Sequence, residues 1–402
     1  MMDVITHIVN YIEILAFVYL GFAGIYIFLF AVAGNMSGSK KWPEAEEKQR
    51  FAVLIPGYKE DAVIVEVAIE ALKQDYPLEK YEVIIIADSF QESTLEKLRE
   101  LPVRLIEVEF DNSTKSKALN KAMQIIGDDY DYALVLDADN IMKPDVLKRL
   151  NNAFVNNFMA IQAHRVAKNT NTSFAVLDAI SEEINNHLFR KGHRALGLSS
   201  ALIGSGMAFD YSFFKKIMSN VQAVGGFDKE LELKMLRDRY TIEYLHEAYV
   251  LDEKVQKSEV FAKQRKRWLS VQFVYFKKFF NQAVKDLFTK GNFDFADKLY
   301  QMIQPPRILL LGSVFLITAL KVLINAFTIS HLTFSALPII FWFSLLAIII
   351  IAFVLSIPIK FYNEKTLKAI ASLPSSFLTM FLSLFKLKGA NKSFIHTEHG
   401  NK

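Results

Sequence analysis

Two aspartates one residue apart, Asp137 and Asp139, close the apolar run of "LVLDADN", residues 134–140. A D-x-D pair at a strand end offers hard oxygen ligands, and an Mg2+ or Mn2+ ion gripped there would hold a diphosphate and neutralise its charge as it leaves. The blander role is a turn or a helix cap, because "NIMKPDVLKRL" starts a helix soon after Asp139 with Pro144 near its first turn. A D-x-D pair in isolation is more often a cap than a site. Other chemistry-bearing residues tilt the balance. Asp88 ends a second apolar run, "YEVIIIAD"; Lys115 opens an amphipathic helix; Asp228 and Glu230 sit together in "GGFDKELELKMLRDR"; and Gln264, Arg265, Arg267 and Trp268 make up "QRKRW". A transfer to a hydroxyl with loss of a diphosphate needs one base for the acceptor proton and one cation for the departing group, and this set contains both.

The elements that must carry these residues alternate. "FAVLIPGY", a helix from Asp61 to Gln74, "YEVIIIAD", a helix near Glu92, "VRLIEVE", a helix from Lys115 and "YALVLDAD" read as βαβ units. Strands that are apolar at nearly every position suit a parallel sheet covered on both faces, and such sheets bind ligands beyond the carboxyl ends of their strands. Asp88, Asp137 and Asp139 then line one edge. Lys117 and Lys121 belong to the solvated face of an ordinary amphipathic helix, whereas Lys115 falls at its positive end, where a phosphate would meet it. His164 and His193 have no partner at helical or strand spacing and are set aside as locally satisfied side chains.

Of the 402 residues, 52% are hydrophobic, and the mean hydropathy is +0.20, more than one soluble core usually carries. The excess is local. Residues 14–34, 308–327 and 338–359 each approach or exceed the ~20 apolar residues that cross a bilayer as helix. The first is too long for a signal-peptide core and no lysine or arginine precedes it, so it reads as a retained anchor. Lysines and arginines crowd the segment between spans one and two, "KFYNEK" and "KLKGANK", while the loop "TISHLTFSA" carries no charge. This places the N-terminus outside and residues 35–305 in the cytoplasm, in an integral protein of the cell (inner) membrane. The expected organisation is an anchor at 1–34, a cytoplasmic catalytic domain at 35–305 with an interface helix near 268–288, two spans within 306–360, and an interface helix with a cytoplasmic tail at 361–402. "LKAIASLPSSFLTMFLSLFKL" is read as lying in the interface, since Pro374 interrupts it and a fourth crossing would carry the basic tail outside. The absence of cysteine excludes disulfides and thiolate metal sites. A net charge of +4, with basic residues concentrated where lipid headgroups would be, excludes nucleic acid as the expected partner.

On these motifs the chain resembles the membrane-bound family 2 glycosyltransferases, the group with cellulose, chitin and hyaluronan synthases, over roughly residues 50–275. "VLIPGYKED" resembles the family's opening strand and turn, "IIIADSF" its strand ending in a base-contacting aspartate, "TKSKALNKA" its G-K-x-x-A-L-N helix and "LVLDADN" its metal motif. "GSGMAF" resembles the loop below the acceptor site, and "QRKRW" matches Q-x-x-R-W, the most specific of the set. The segment "KSFIHTEHG" is weakly similar to the C-terminal segments of related synthases.

The resemblance implies an α/β GT-A domain (nucleotide-diphospho-sugar transferase, Rossmann-like) with transmembrane helices. It implies Asp137 and Asp139 as ligands of Mg2+ or Mn2+, Asp88 and Lys115 as nucleotide contacts, and Gln264, Arg265, Arg267 and Trp268 as donor-site residues. The arginines suit phosphate charge and the indole suits a sugar ring. The family's Glu-Asp pair is missing. The Leu-Glu-Leu register puts Glu230 at the aspartate's position as the general base, with Asp228 competing for the role. The implied reaction is inverting transfer from a nucleotide sugar, most simply a UDP-sugar, to a growing polysaccharide or glycan, with partner subunits for polymer export. The alternatives are a single transfer to a lipid or polyprenyl-phosphate acceptor, and a catalytically silent membrane scaffold that binds nucleotide sugar.

Overall fold

A computed structural model describes residues 2–38, 40–221, 223, 225–254, 258–326 and 336–384. The loop "TISHLTFSA", all but its last residue, and the tail segments "KLKGANK" and "KSFIHTEHG" lie outside the described residues. The strands are β1 Phe51–Tyr58, β2 Tyr81–Asp88, β3 Arg104–Val108, β4 Tyr132–Val135, β5 Ile141–Met142, β6 Ala160–Ala167, β7 Met207–Asp210 and β8 Ile242–Asp252. The helices begin with α1 Met2–Met36, α2 Ile64–Ala71, α3 Glu92–Arg99, α4 Lys115–Ile126 and α5 Val146–Phe154. There follow α6 Ser173–Asn186, which runs through a π turn at His187–Gly192 into α7 His193–Ala195, then α8 Tyr211–Met218, α9 Phe227–Arg237 and α10 Ser258–Lys290. The chain continues through α11 Phe293–Ile303, α12 Arg307–Ala326, α13 Ile339–Ser356, α14 Glu364–Ile370 and α15 Leu373–Leu384.

One sheet in the order β3-β2-β1-β4-β7-β6-β8-β5 organises the segment between α1 and α10. β3, β2, β1 and β4 are parallel, as their unbroken apolar runs require, and β7 enters antiparallel to both β4 and β6. Seven of the eight β1 residues are buried, because helices cover both faces. One face packs on α4, α8, α9, α10 and α11 through residues such as Leu119, Phe214, Leu233, Phe279 and Phe295. The other packs on α2 and α5 through Ile64, Val67, Leu147 and Leu150. Tyr58 of β1 lies level with Asp88 of β2, while β4 ends at Val135 opposite Leu54. The D-x-D loop therefore folds over the end of β1.

Three helices are long and apolar enough to cross a membrane: Val4–Met36, Arg307–Ala326 and Ile339–Ser356. The first starts well before residue 14, because Glu13 is satisfied inside the bundle. Glu13 meets the Lys321 ammonium of α12 at 2.5 Å and accepts from the Trp342 indole of α13 at 2.9 Å. A charge that reads in sequence as the end of a span is thus part of the packing between spans. Below it, α1 docks on α6 and α7. Phe30 stacks on His193 with ring centroids 3.7 Å apart, and the Tyr26 hydroxyl donates to Asp297 of α11 at 2.6 Å. α10 runs well beyond 268–288 at its N-terminal end. It buries Val271, Tyr275, Phe279 and Ala283 in the core at helical spacing and exposes Phe273, Val274, Phe280 and Phe288 on the other side. Pro374 lies in the first turn of α15, after a break from α14, so the segment near 367–384 is two short helices. α15 sets Phe377 against Gly312 of α12, and Met380 against Leu269 and Leu309.

Candidate active site

The carboxyl edge of β1, β2 and β4 gathers Asp88, Lys115, Asp137 and Asp139 from among the side chains singled out in the sequence. Asp88, the last residue of β2, is 2% exposed and accepts from the Ser89 hydroxyl at 3.0 Å. Its carbonyl takes the Lys59 amide at 3.1 Å. Lys59 and Ser89 follow β1 and β2 with φ of 56° and 59°, a left-handed conformation seldom adopted by residues with a side chain. Such backbone clusters where surrounding packing holds a functional geometry.

Asp137 is the more accessible member of the pair and Asp139 the buried one, at 36% of the side chain and 6% of the residue exposed. Lys115, capped into α4 by Thr114, donates its ammonium to Asp137 Oδ1 and to the Gly204 carbonyl. That ammonium shows what the pocket offers a cation: one carboxylate oxygen and one carbonyl oxygen, the donors preferred by hard ions. Gly204 and Gly206 take φ of 86° and 63°, which lets the loop between them turn its backbone towards the D-x-D segment. Ser205 at the loop's centre accepts the Asp137 amide at 2.9 Å and donates to Asn140 Oδ1 at 2.6 Å. The buried Asn140 amide in turn donates to Asp139 Oδ1 at 2.9 Å and to Asp252 Oδ1 at 3.0 Å.

Behind Asp252 lies a set of buried charges that sequence reasoning missed. Lys254 pairs with Asp252 at 2.6 Å, Arg165 with Glu182 at 3.0 Å, and Arg190 with Glu182 at 3.5 Å. Burial alone would lower the Arg165 guanidinium, but Asp252 and Glu182 outweigh it and hold the group above its ordinary value. The one signal was compositional, namely an arginine inside the apolar strand "AIQAHRVA" and a Asp-Glu-Lys run closing β8. Both histidines set aside in the sequence have hydrogen-bond partners. His164 bonds the His246 carbonyl and Glu183, and His193 bonds the Leu188 carbonyl and Asp297.

The two base candidates separate. Glu230 is 3% exposed, and its Oε1 is held by Lys278 of α10 at 2.9 Å and by Lys234 at 3.0 Å. Burial pushes this carboxyl up, yet the two lysines outweigh burial and keep it below the usual range. A carboxylate so engaged ties α9 to α10, which sets Glu230 apart from Asp228 as a candidate for the acceptor proton. Asp228 points elsewhere, its Cγ lying 3.9 Å from where a Cβ on Gly204 would stand. Lys229 and Glu232 hold that register by bonding the Leu202 carbonyl at 2.9 Å and the Leu202 amide at 3.3 Å. Burial lowers the Arg267 guanidinium against the opposing pull of Asp228 and Asp137, so both carboxylates lie in its field. Trp268, the next residue of α10, is 37% exposed. Gln264 and Arg265 fall on the described backbone of α10, but their side chains lie outside the described residues.

No group of three or more histidine, aspartate or glutamate side chains is arranged for a metal among the described residues. The donors on hand for a cation are Asp137, Asp139 and main-chain oxygen.

The family model described as Glycosyltransferase like family 2 matches residues 49–270. Among solved structures, the mannosyltransferase PcManGT from Pyrobaculum calidifontis, in complex with GDP-Man and Mn2+, is similar with a TM-score of 0.51 at 14% identity. That match covers 88% of this chain and 98% of the other. TarS of S. aureus is similar with a TM-score of 0.36 at 18% identity, over 56% of this chain and 39% of TarS. A shorter TarS structure with UDP gives the same score and identity over 54% of this chain and 63% of that one. No curated protein sequence matches the chain.

Proposed function

The chain belongs to the glycosyltransferase-like family 2, and on that premise we propose that it moves a sugar from a nucleotide diphosphate donor to an acceptor hydroxyl in one inverting step. The observation that carries this reading is the meeting of Lys115, Asp137, the Gly204 carbonyl and Asp228 at one edge of the sheet. Asp137 and Asp139 are the residues that would hold Mg2+ or Mn2+, and the oxygen donors around the Lys115 ammonium fit such an ion. When bound, the cation supplies positive charge to the diphosphate. Lys115 and Arg267 add to the same field, and Trp268 offers an apolar face for a sugar ring. Asp88 is the proposed contact for the base or ribose, and Gln264 and Arg265 remain proposed donor-site residues.

Asp228 is the proposed base. As the acceptor oxygen bonds to the anomeric carbon and the bond to the diphosphate breaks, its carboxylate takes the acceptor proton. One displacement from an α-linked donor yields a β-glycoside. A UDP-sugar is the donor proposed here, while the mannosyltransferase of similar fold was solved with GDP-Man. A growing glycan or polysaccharide is the proposed acceptor, with an export partner if the product is a polymer. The lysine and arginine bias supports a catalytic segment at 35–305 on the cytoplasmic face of the inner membrane, with α10 in the interface.

Release of UDP or GDP from UDP-glucose, UDP-N-acetylglucosamine, UDP-galactose and GDP-mannose, each with Mn2+, Mg2+ and chelator, tests the proposal. Turnover of one donor that stops on chelation is the expected outcome. Binding of a nucleotide sugar without turnover on any acceptor would favour a silent scaffold instead.

A further inference from the structure

Away from the carboxylate edge, a cavity of about 250 Å³ opens between the end of β6, α6 and the segment that follows α13. Thr170, Lys360, Phe361, Asn363, Lys365 and Thr366 line it. Thr366 Oγ1 is buried and has no hydrogen-bond partner among the described residues. That oxygen is closed to water in this structure, and because a buried hydroxyl without an acceptor is unfavourable, a ligand oxygen in the cavity would favour rotation of the Thr366 side chain towards it. Lys360 Nζ meets Glu183 Oε1 at 2.8 Å, yet 59% of the Lys360 side chain is exposed. An ammonium has three donors, and this pairing uses one. Lys365 adds a second cation, so the cavity keeps a positive balance against Glu183.

The surroundings say where such a ligand would come from. The spanning helix α13 ends at Ser356, only four residues before Lys360. Between and beyond the lysines, Ile359, Tyr362, Leu367 and Ile370 are exposed at 87%, 55%, 71% and 46%. Exposed aliphatic and aromatic side chains interleaved with Lys360, Lys365 and Lys368 are what a segment at headgroup depth presents to a bilayer. We propose that this cavity binds the phosphate of an anionic phospholipid headgroup, with Lys360 and Lys365 supplying charge and Thr366 donating its hydroxyl proton. A phosphodiester with one negative charge matches two lysines of which one is already shared with a carboxylate.

The test uses the full chain in a neutral detergent, with its melting temperature read against dioctanoyl phosphatidylglycerol, dioctanoyl phosphatidylcholine and inorganic phosphate. A ligand that binds only the folded state raises the midpoint with concentration. Phosphatidylglycerol is expected to raise it by a few degrees and the other two to leave it within error. Lys365→Gln and Thr366→Val should each lose most of the rise, while Lys277→Gln on α10 keeps it. Lys360→Gln also removes one partner of Glu183, so the first two variants carry the test. An equal rise with phosphatidylcholine, or an undiminished rise in both cavity variants, would overturn the proposal. So would a rise with inorganic phosphate alone, which would assign the cavity to a free anion. Glycosyl transfer plays no part in this readout, so the cavity and the active-site reading stand or fall separately.

Discussion

At the scale of single residues, the sharpest distinction is between Asp228 and Glu230, two residues apart on α9. At 3.6 residues per turn they project about 200° apart around the helix, so only one can face the D-x-D edge. Asp228 approaches Gly204, and Glu230 is tied to Lys234 and Lys278. Asp228→Asn is expected to retain nucleotide affinity and to lower turnover by roughly two to four orders of magnitude. Glu230→Gln is expected to lower the melting temperature while leaving the rate per folded molecule within about threefold, since it loosens a packing tie. Turnover and UDP affinity on protein shown to be folded separate the two, and a dead Glu230→Gln beside an active Asp228→Asn would reverse the assignment. Most of the edge was legible in sequence because Asp88, Asp137 and Lys115 each fall where an apolar run ends or an amphipathic helix begins. The base was not. The Leu-Glu-Leu register fixes which residues are buried but not which neighbouring lysines will claim a carboxylate. Asn140 and Ser205, which join the D-x-D segment to the 204–206 loop, left no mark beyond standing beside the motifs.

At the scale of elements, the parallel half of the sheet follows directly from its strands, which are apolar on both faces. The short pairings were harder to foresee. β5 spans two residues and β7 four, too few to show a period, and β7 enters antiparallel directly after the glycine loop. The membrane helices were legible as spans because length and hydropathy suffice, but the start of α1 was not, because Glu13 finds its partner on a helix some three hundred residues away. That pair carries its own expectation. Lys321→Met leaves the Glu13 carboxylate without its cation among apolar helices, and breaking a buried pair typically costs about 3–5 kcal/mol. The double variant Glu13→Gln, Lys321→Met removes both charges and should recover most of the loss. Melting temperatures in detergent check this, and a double variant no more stable than Lys321→Met would show that the helices do not depend on the pair.

At the scale of the whole molecule, α6 stands between the catalytic sheet and the membrane helices, and its carboxylates set the behaviour in acid. Burial raises Glu183, but the His164 hydrogen bond and Lys360 outweigh it and hold the group at about 2, from an ordinary 4.5. A carboxyl depressed in the folded state contributes stability in full above its unfolded value and loses it as pH falls towards the folded one. Glu182, Glu243 and Asp252 are held low by Arg165, Arg194 and Arg165 in turn, each against burial. The midpoint of unfolding should therefore hold from pH 7 to about 5 and fall steadily below 4.5, with a shallower fall in Glu183→Gln. A midpoint that rises in that window would mean these ion pairs are absent from the folded protein. The same packing that buries these charges fixes Asp252 behind Asn140, and through it the position of Asp139. Whether that edge binds a cation under a diphosphate is read most directly from UDP affinity with and without Mn2+ in the wild-type chain and in Asp139→Ala. Mn2+ should tighten UDP binding at least tenfold in the wild type and leave the variant unchanged, with glycosyl transfer abolished. A variant that keeps the full Mn2+ effect and the wild-type rate would contradict the placement of catalysis at the D-x-D edge.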